Sequence, residues 1–404
     1  MVLGALVGVV AGGASTVLLL LLDAATHARD AHLEIVYALP LAGIALGFAY
    51  ERWGVSIKGG SDLVLDTVHE ARPQIPLRLA PMVLAGTVLT HLFGGSAGRE
   101  GTAVQMGASL ADAISHRLRL TPELRRLLLV AGMAGGFGSV FGTPFAGAVF
   151  GVEVLAIGRL ELRALMPAFV AAVAGDFTSR QLGIVHTPYP QLAHVPVTLL
   201  LLAKLVLIGI TMALAAIAFI ELTHRLKALL QTWLPRLPVR MFVGGVVVVM
   251  MWQLVGDSDY LGLGVPTILR AFHDPSLPSW AFAAKMAFTA VTLAAGFLGG
   301  EVTPLFFVGA ALGAVMARLT GLPIELGAGV GLAAVFGAAA NAPLALSIMA
   351  AELMGLRVLP HVLVVTAVAF LLAGHRGIYA AQRVARTKYG RRVDPLEALR
   401  DYRR

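Results

Sequence analysis

The chain has 404 residues, of which 58% are hydrophobic and only 13% charged, and its mean hydropathy is +0.82. Soluble domains carry about 25% charged residues, so this composition excludes a water-soluble globular protein and points to a polytopic membrane protein. With no cysteine, disulfides, thiolate catalysis and thiolate metal sites are excluded as well.

Apolar runs recur from residue 2 to residue 374. A helix needs about 20 apolar residues to cross a hydrocarbon core about 30 Å thick. Several runs are shorter than that and predict half-helices or re-entrant segments. The first, starting Met1-Val2-Leu3-Gly4, has no basic flank and no cleavage pattern, so a retained first helix is expected.

Three glycine-rich breaks follow. The first is Lys58-Gly59-Gly60-Ser61-Asp62-Leu63, where Ser61 or Asp62 has the chemistry to cap a short helix. The second is Gly98-Arg99-Glu100-Gly101-Thr102. The third, Gly299-Gly300-Glu301-Val302-Thr303-Pro304, places its glutamate 201 positions after Glu100. A carboxylate at membrane depth is costly and marks a pathway or cavity.

The second and third breaks belong to a duplication. Ala131-Gly132-Met133, Thr143-Pro144 and Glu153 follow the first glutamate. Val330-Gly331-Leu332, Ala342-Pro343 and Glu352 follow the second, and each proline precedes its glutamate by nine residues. Paired interrupted segments are the mark of a transporter built from repeats. The expected organisation is one transmembrane domain over 1–385, with repeats of about 1–190 and 191–385, then a basic tail over 386–404. Much of the net charge of +8 lies after Gly374. By the positive-inside rule the tail is cytoplasmic, and this reading is preferred over nucleic-acid binding.

A helix that begins inside the membrane leaves its first N–H groups unpaired and carries roughly half a positive charge there. Glycine lets the backbone approach a ligand. Each break therefore has the chemistry of a backbone anion site, with Gly101 and Val302 among the candidate backbone donors. Thr303 adds a hydroxyl donor, and Pro304 suits a first helical turn.

Gly98 to Gly107, Gly-Arg-Glu-Gly-Thr-Ala-Val-Gln-Met-Gly, resembles the signature of the CLC family of anion channels and anion/proton exchangers. Gly60-Ser61-Asp62-Leu63 falls at that family's first anion motif and Gly299 to Pro304 at its third. Gly374-His375-Arg376-Gly377-Ile378-Tyr379 falls where a tyrosine faces the ion. The resemblance spans about 10–385. It implies an all-α CLC-like fold of two inverted repeats with broken and re-entrant helices, and a homodimer with a pore in each subunit. Glu-Val-Thr-Pro at 301–304 is similar to the bacterial fluoride/proton antiporter branch, because chloride members usually carry phenylalanine at the position of Glu301. Thr102, where chloride members have proline, and Val154, where chloride exchangers have an inner proton-handling glutamate, fit the same branch. The first motif is less similar to it.

The resemblance therefore implies an inner-membrane exporter of fluoride in exchange for protons. Glu100 is its proton-carrying gate, and Ser61, Gly101, Val302, Thr303 and Tyr379 are its anion ligands. Burial and a neighbouring anion both favour a protonated carboxyl, so one group can plug the anion site and carry the proton. Glu301 donates only when protonated and is read as a proton relay; its alternative is a helix-start carboxylate. Arg99, Thr102, Glu153 and Asn341 are structural near the site, and Met133 and the phenylalanines are packing. No cofactor or metal is expected, since His69-Glu70 lacks the rest of a zinc motif. The alternative function on this fold is a chloride/proton exchanger or a passive anion channel. No nucleophile elbow or paired aspartates support an intramembrane hydrolase, so no enzyme activity is expected.

Overall fold

The structure is a computed structural model describing residues 1–70, 74–193 and 195–402. The first half holds α1 (Val2–Ala31), α2 (Leu39–Trp53), α3 (Ser61–Glu70), α4 (Leu79–Leu92), α5 (Glu100–Arg117), α6 (Pro122–Phe141), α7 (Pro144–Glu153), strand β1 (Ala156–Ile157) and α8 (Leu165–Gln181). The second holds α9 (Leu199–Trp233), α10 (Leu237–Val255), α11 (Val265–Arg270), α12 (Ala281–Ala295), α13 (Val302–Thr320), α14 (Ile324–Ala339), α15 (Pro343–Met354) and α16 (Leu359–Leu372). Strands β2 (Arg383–Arg386) and β3 (Arg392–Ala398) and the short α17 (Leu399–Tyr402) follow.

Six of the described helical segments are long and apolar enough to cross a membrane. The 35 residues of α9 rise about 52 Å at 1.5 Å per residue. By contrast α7 has 10 residues and α15 has 12, far short of a 30 Å core. Proline punctuates these starts: Pro144 opens α7 and Pro343 opens α15, where a missing N–H costs nothing.

The duplication is visible in packing. Helix α5 crosses α6 where a Cβ on Gly107 would lie 2.2 Å from the carbonyl oxygen of Gly132, so only glycine fits. Helix α13 crosses α14 in the same way, with Gly309 against the carbonyl of Gly331 at 2.1 Å. Short helices α7 and α15 exchange caps. Both oxygens of Glu153, at the end of α7, accept from Leu344 N and Ala345 N at the start of α15, at 3.0 and 2.7 Å. Glu352, at the end of α15, accepts from Phe145 N and Ala146 N at the start of α7, at 3.0 and 2.7 Å. This reciprocity requires the two helices to run antiparallel, and each carboxylate meets a helix dipole of the right sign.

Beyond the expected helices, a small sheet orders much of the basic C-terminal segment. β1 pairs in parallel with β2, and β2 pairs antiparallel with β3. Ile157, Val384 and Leu399 form a small apolar core beside it. The segment is tied to α3: Arg383 and Arg400 both reach the buried Asp66, at 3.3 and 3.2 Å, and Ala381 N donates to Asp62 at 2.9 Å.

Candidate functional site

The second and third breaks meet face to face. Gly98 N donates to Gly300 O at 2.6 Å and Gly300 N donates to Gly98 O at 2.7 Å, an antiparallel bridge between the two halves. A side chain on Gly300 would come within 2.9 Å of Gly101 N, so glycine is what permits the contact. The pairing brings the N-termini of α5 and α13 to one point.

Glu100 is fully buried at that point. Its carboxylate turns across to the start of α13. Oε1 accepts a short hydrogen bond from the Thr303 hydroxyl, and Oε2 accepts from Thr303 N at 3.3 Å and Arg99 N at 3.1 Å. The Arg99 guanidinium stands 3.7 Å from Oε1. Glu100 thus caps α13 from the other half of the chain, with backbone, hydroxyl and dipole all favouring a negative charge there.

Beside the carboxylate lies a small, mostly apolar chamber of about 10 Å³. Ser61, Glu100, Gly101, Val302 and Tyr379 line it, and Met133, Phe137, Phe150 and Val154 complete its walls. Two larger cavities, which share no lining residue, lie close by. One, about 610 Å³, lies on the side of the C-terminal sheet and is lined by Ser61, Asp62, Gln105, Lys227, Glu301 and Tyr379. The other, about 550 Å³, is lined by the second half of α1, the segment 183–187 and Arg99. Ser61 and Tyr379 line both the chamber and the first of these, and Arg99, next to Glu100 in the chain, lines the second.

The expected site residues thus fall together. Ser61, Gly101, Val302 and Tyr379 share the chamber, while Thr303 holds the carboxylate. Glu301 precedes α13 but makes no side-chain capping bond; it is half-buried in the wall of the C-terminal-side cavity. Asp62 spends an oxygen on Ala381 N, and this tie joins α3 to the loop after Tyr379. Thr102 bonds the Thr87 hydroxyl at 2.6 Å. Asn341 adopts φ +54 at the break before α15 and donates to Arg376 O and Gln382 Oε1, both at 2.9 Å, anchoring the Tyr379 loop. Among the described residues no cluster of His, Asp or Glu could hold a metal.

Met133, Phe137 and Phe150 were read from sequence as packing, and they also wall the chamber. Gln105 was not singled out, although it lies one turn after Gly101 in the same signature; it donates to Ser61 Oγ at 3.1 Å. Glu153 has a structural consequence. Glu153→Ala would strip the amides of Leu344 and Ala345, at about 1–3 kcal/mol for each buried group left unpartnered. A lowered melting temperature in detergent is expected.

Fold and site define a multi-pass membrane protein in which two broken helices from duplicated halves meet beside a small chamber. A family model described as voltage gated chloride channel matches residues 41–374. A chloride/fluoride channel protein of Pseudomonas syringae pv. tomato is 46% identical over 395 residues, covering 96% of this chain and 87% of the relative. An H(+)/Cl(-) exchange transporter of Vibrio vulnificus is 26% identical over 378 residues, covering 85% and 79%. Among solved structures, a CLC-type fluoride/proton antiporter superposes with a TM-score of 0.92 at 36% identity, over 95% of this chain and 97% of that one. A slow cyanobacterial Cl-/H+ antiporter reaches 0.80 at 20% identity over 92% of both, which speaks for the fold alone. The chain belongs to the voltage-gated chloride channel family, the CLC family, and has its fold.

Proposed function

We propose that this protein exports fluoride in exchange for protons, with Glu100 as both plug and proton carrier. The observation that carries the reading is the Glu100 carboxylate held on the Thr303 hydroxyl and amide at the start of α13, beside a chamber too small for a hydrated ion. Likeness to a chloride/fluoride channel protein and to a CLC-type fluoride/proton antiporter supports it. Fluoride is small and a strong hydrogen-bond acceptor, so a dehydrated ion needs good donors. Ser61, Thr303, Tyr379 and the amides of Gly101 and Val302 are of that kind. Protonation neutralises Glu100, releases it from α13 and frees the same donors for the anion.

Val154 leaves no inner carboxylate at its position, and the relay is assigned to Glu301 in the cavity wall. Arg99, Thr102, Glu153 and Asn341 keep the scaffold of the site. The protein sits in the bacterial inner membrane with its C-terminal sheet in the cytoplasm, so the 610 Å³ cavity is the cytoplasmic one. The transport domain spans 1–385, in repeats of about 1–190 and 191–385. Two subunits associate, each with its own pathway.

The test is purified protein in liposomes, with anion release and pH recorded together. Fluoride release with opposite proton movement is expected; equal chloride flux would sink the fluoride assignment. In the same assay Glu301→Gln is expected to lower proton-coupled fluoride flux by about tenfold or more. Intact coupled flux in that variant would remove Glu301 from the route.

A further inference from the structure

Ser61 stands in two places at once, lining both the small chamber and the cytoplasmic cavity. Its hydroxyl accepts a hydrogen bond from the side-chain nitrogen of Gln105 at 3.1 Å. Gln105 is buried, 9% exposed, and lies on α5 one turn past Gly101. The three groups converge: a Cβ on Gly101 would lie 3.9 Å from Ser61 Oγ and 4.0 Å from Gln105 Nε2. Gly60, at φ +53, brings the start of α3 against the same amide, where a Cβ would lie 3.3 Å from both its nitrogen and its oxygen. Glycine at position 60 thus leaves room for the Gln105 amide beside the start of α3.

A serine hydroxyl has one hydrogen to give and two lone pairs to receive. Inside a helix, serine turns its hydrogen toward the carbonyl one turn back, as Ser115 and Ser347 do in this chain, bonding Ala111 O and Pro343 O at 2.8 and 2.7 Å; Ser61 opens α3 and has no helical carbonyl one turn behind it. Ser61 makes no such bond among the described residues. With the Gln105 nitrogen on its acceptor side, its hydrogen remains for the chamber it lines.

We propose that Gln105 is a positioning residue for anion recognition. By donating to Ser61 it fixes the hydroxyl as a donor to a small dehydrated anion in the chamber. It also ties that donor to the helix that carries Glu100, so plug and ligand share one frame. This inference rests on the fluoride-transport reading and adds the device that orients one of its ligands.

The test is a pair of substitutions on two backgrounds, with fluoride efflux followed over a range of internal fluoride in proteoliposomes. Gln105→Glu exchanges a donor for an acceptor, which would take the Ser61 hydrogen away from the chamber. The apparent KM for fluoride is expected to rise about tenfold, one unpaired donor's worth. Turnover at saturating fluoride should stay within about twofold, and the proton-to-fluoride ratio should not change. Gln105→Met, similar in length but unable to donate, is expected to raise KM by about threefold. In a Ser61→Ala background neither substitution should shift KM by more than about twofold, because the group they act through is gone. Unchanged KM in both Gln105 variants would overturn the proposal, as would an equal shift in the Ser61→Ala background. If Gln105→Glu does not yield folded protein, the Gln105→Met pair decides. Wild-type protein that moves no fluoride would overturn the transport reading and this inference together. Wild-type flux with Gln105 variants indistinguishable from it would overturn this inference alone.

Discussion

Glu100→Gln is expected to abolish proton movement driven by a fluoride gradient, reducing it by about a hundredfold or more, the scale of losing an essential proton-transfer group. The substitution preserves shape. A glutamine oxygen can still accept from the Thr303 hydroxyl, and the side chain still fits against the start of α13. What it loses is the ability to exchange a proton and the full charge that α13 and Arg99 compensate. An amide also turns donors toward Thr303 N and Arg99 N, the groups that now donate to Oε2 at 3.3 and 3.1 Å. The neutral side chain should therefore be held less firmly. The decisive comparison uses a fluoride electrode and a pH electrode on the same vesicles. Fluoride leak without proton movement would identify Glu100 as the coupling group and its release as the gate. Proton movement at the wild-type level would remove Glu100 from the mechanism, whatever happens to fluoride.

Much of this architecture is legible in the residues because the breaks announce themselves. Gly98 to Thr102 and Gly299 to Pro304 are glycine-rich, carry a carboxylate and interrupt apolar runs, and each does open a helix. The matching Pro144–Glu153 and Pro343–Glu352 spacings likewise fall on two short helices. The exchange between them is not legible. A glutamate at the end of one helix reads as a local hydrogen-bond acceptor, and only the antiparallel meeting of the halves shows that its donors lie 191 and 192 residues away. The bond from Thr303 to Glu100 spans 203 residues, so each residue reads separately as a ligand until the Gly98–Gly300 bridge joins them. The sheet is hidden for another reason. β1 is two residues long at the end of an apolar run, and β3 contains Pro395, so neither shows the alternation that marks a strand. Gln105 escaped because an amide one turn inside a buried helix has no distinctive pattern; its meaning comes from Ser61, 44 residues earlier.

Thr303→Val should have the second-largest effect, and it tests whether carboxylate and anion compete for one donor. Valine matches threonine in shape but carries no hydroxyl. The bond it removes goes to a buried carboxylate, and hydrogen bonds to charged groups contribute about 1.5–3 kcal/mol, a factor of roughly ten to a hundred in an equilibrium. Were the hydroxyl only a latch for Glu100, its loss would loosen the plug and speed fluoride release. In the proposed cycle the same hydroxyl serves the anion once Glu100 is protonated, so both states are weakened, and the fluoride state, which unlike Glu100 has no covalent tether, loses one of its few hydroxyl donors. Fluoride efflux is therefore expected to fall about tenfold or more in Thr303→Val and to recover in Thr303→Ser, which restores the donor without the methyl. Efflux that rises in Thr303→Val would assign the hydroxyl to the plug alone. Efflux that stays low in Thr303→Ser would shift the weight from the hydrogen bond to the packing of the methyl group at the start of α13. Only a fall with recovery fits a donor that Glu100 and the anion use in turn.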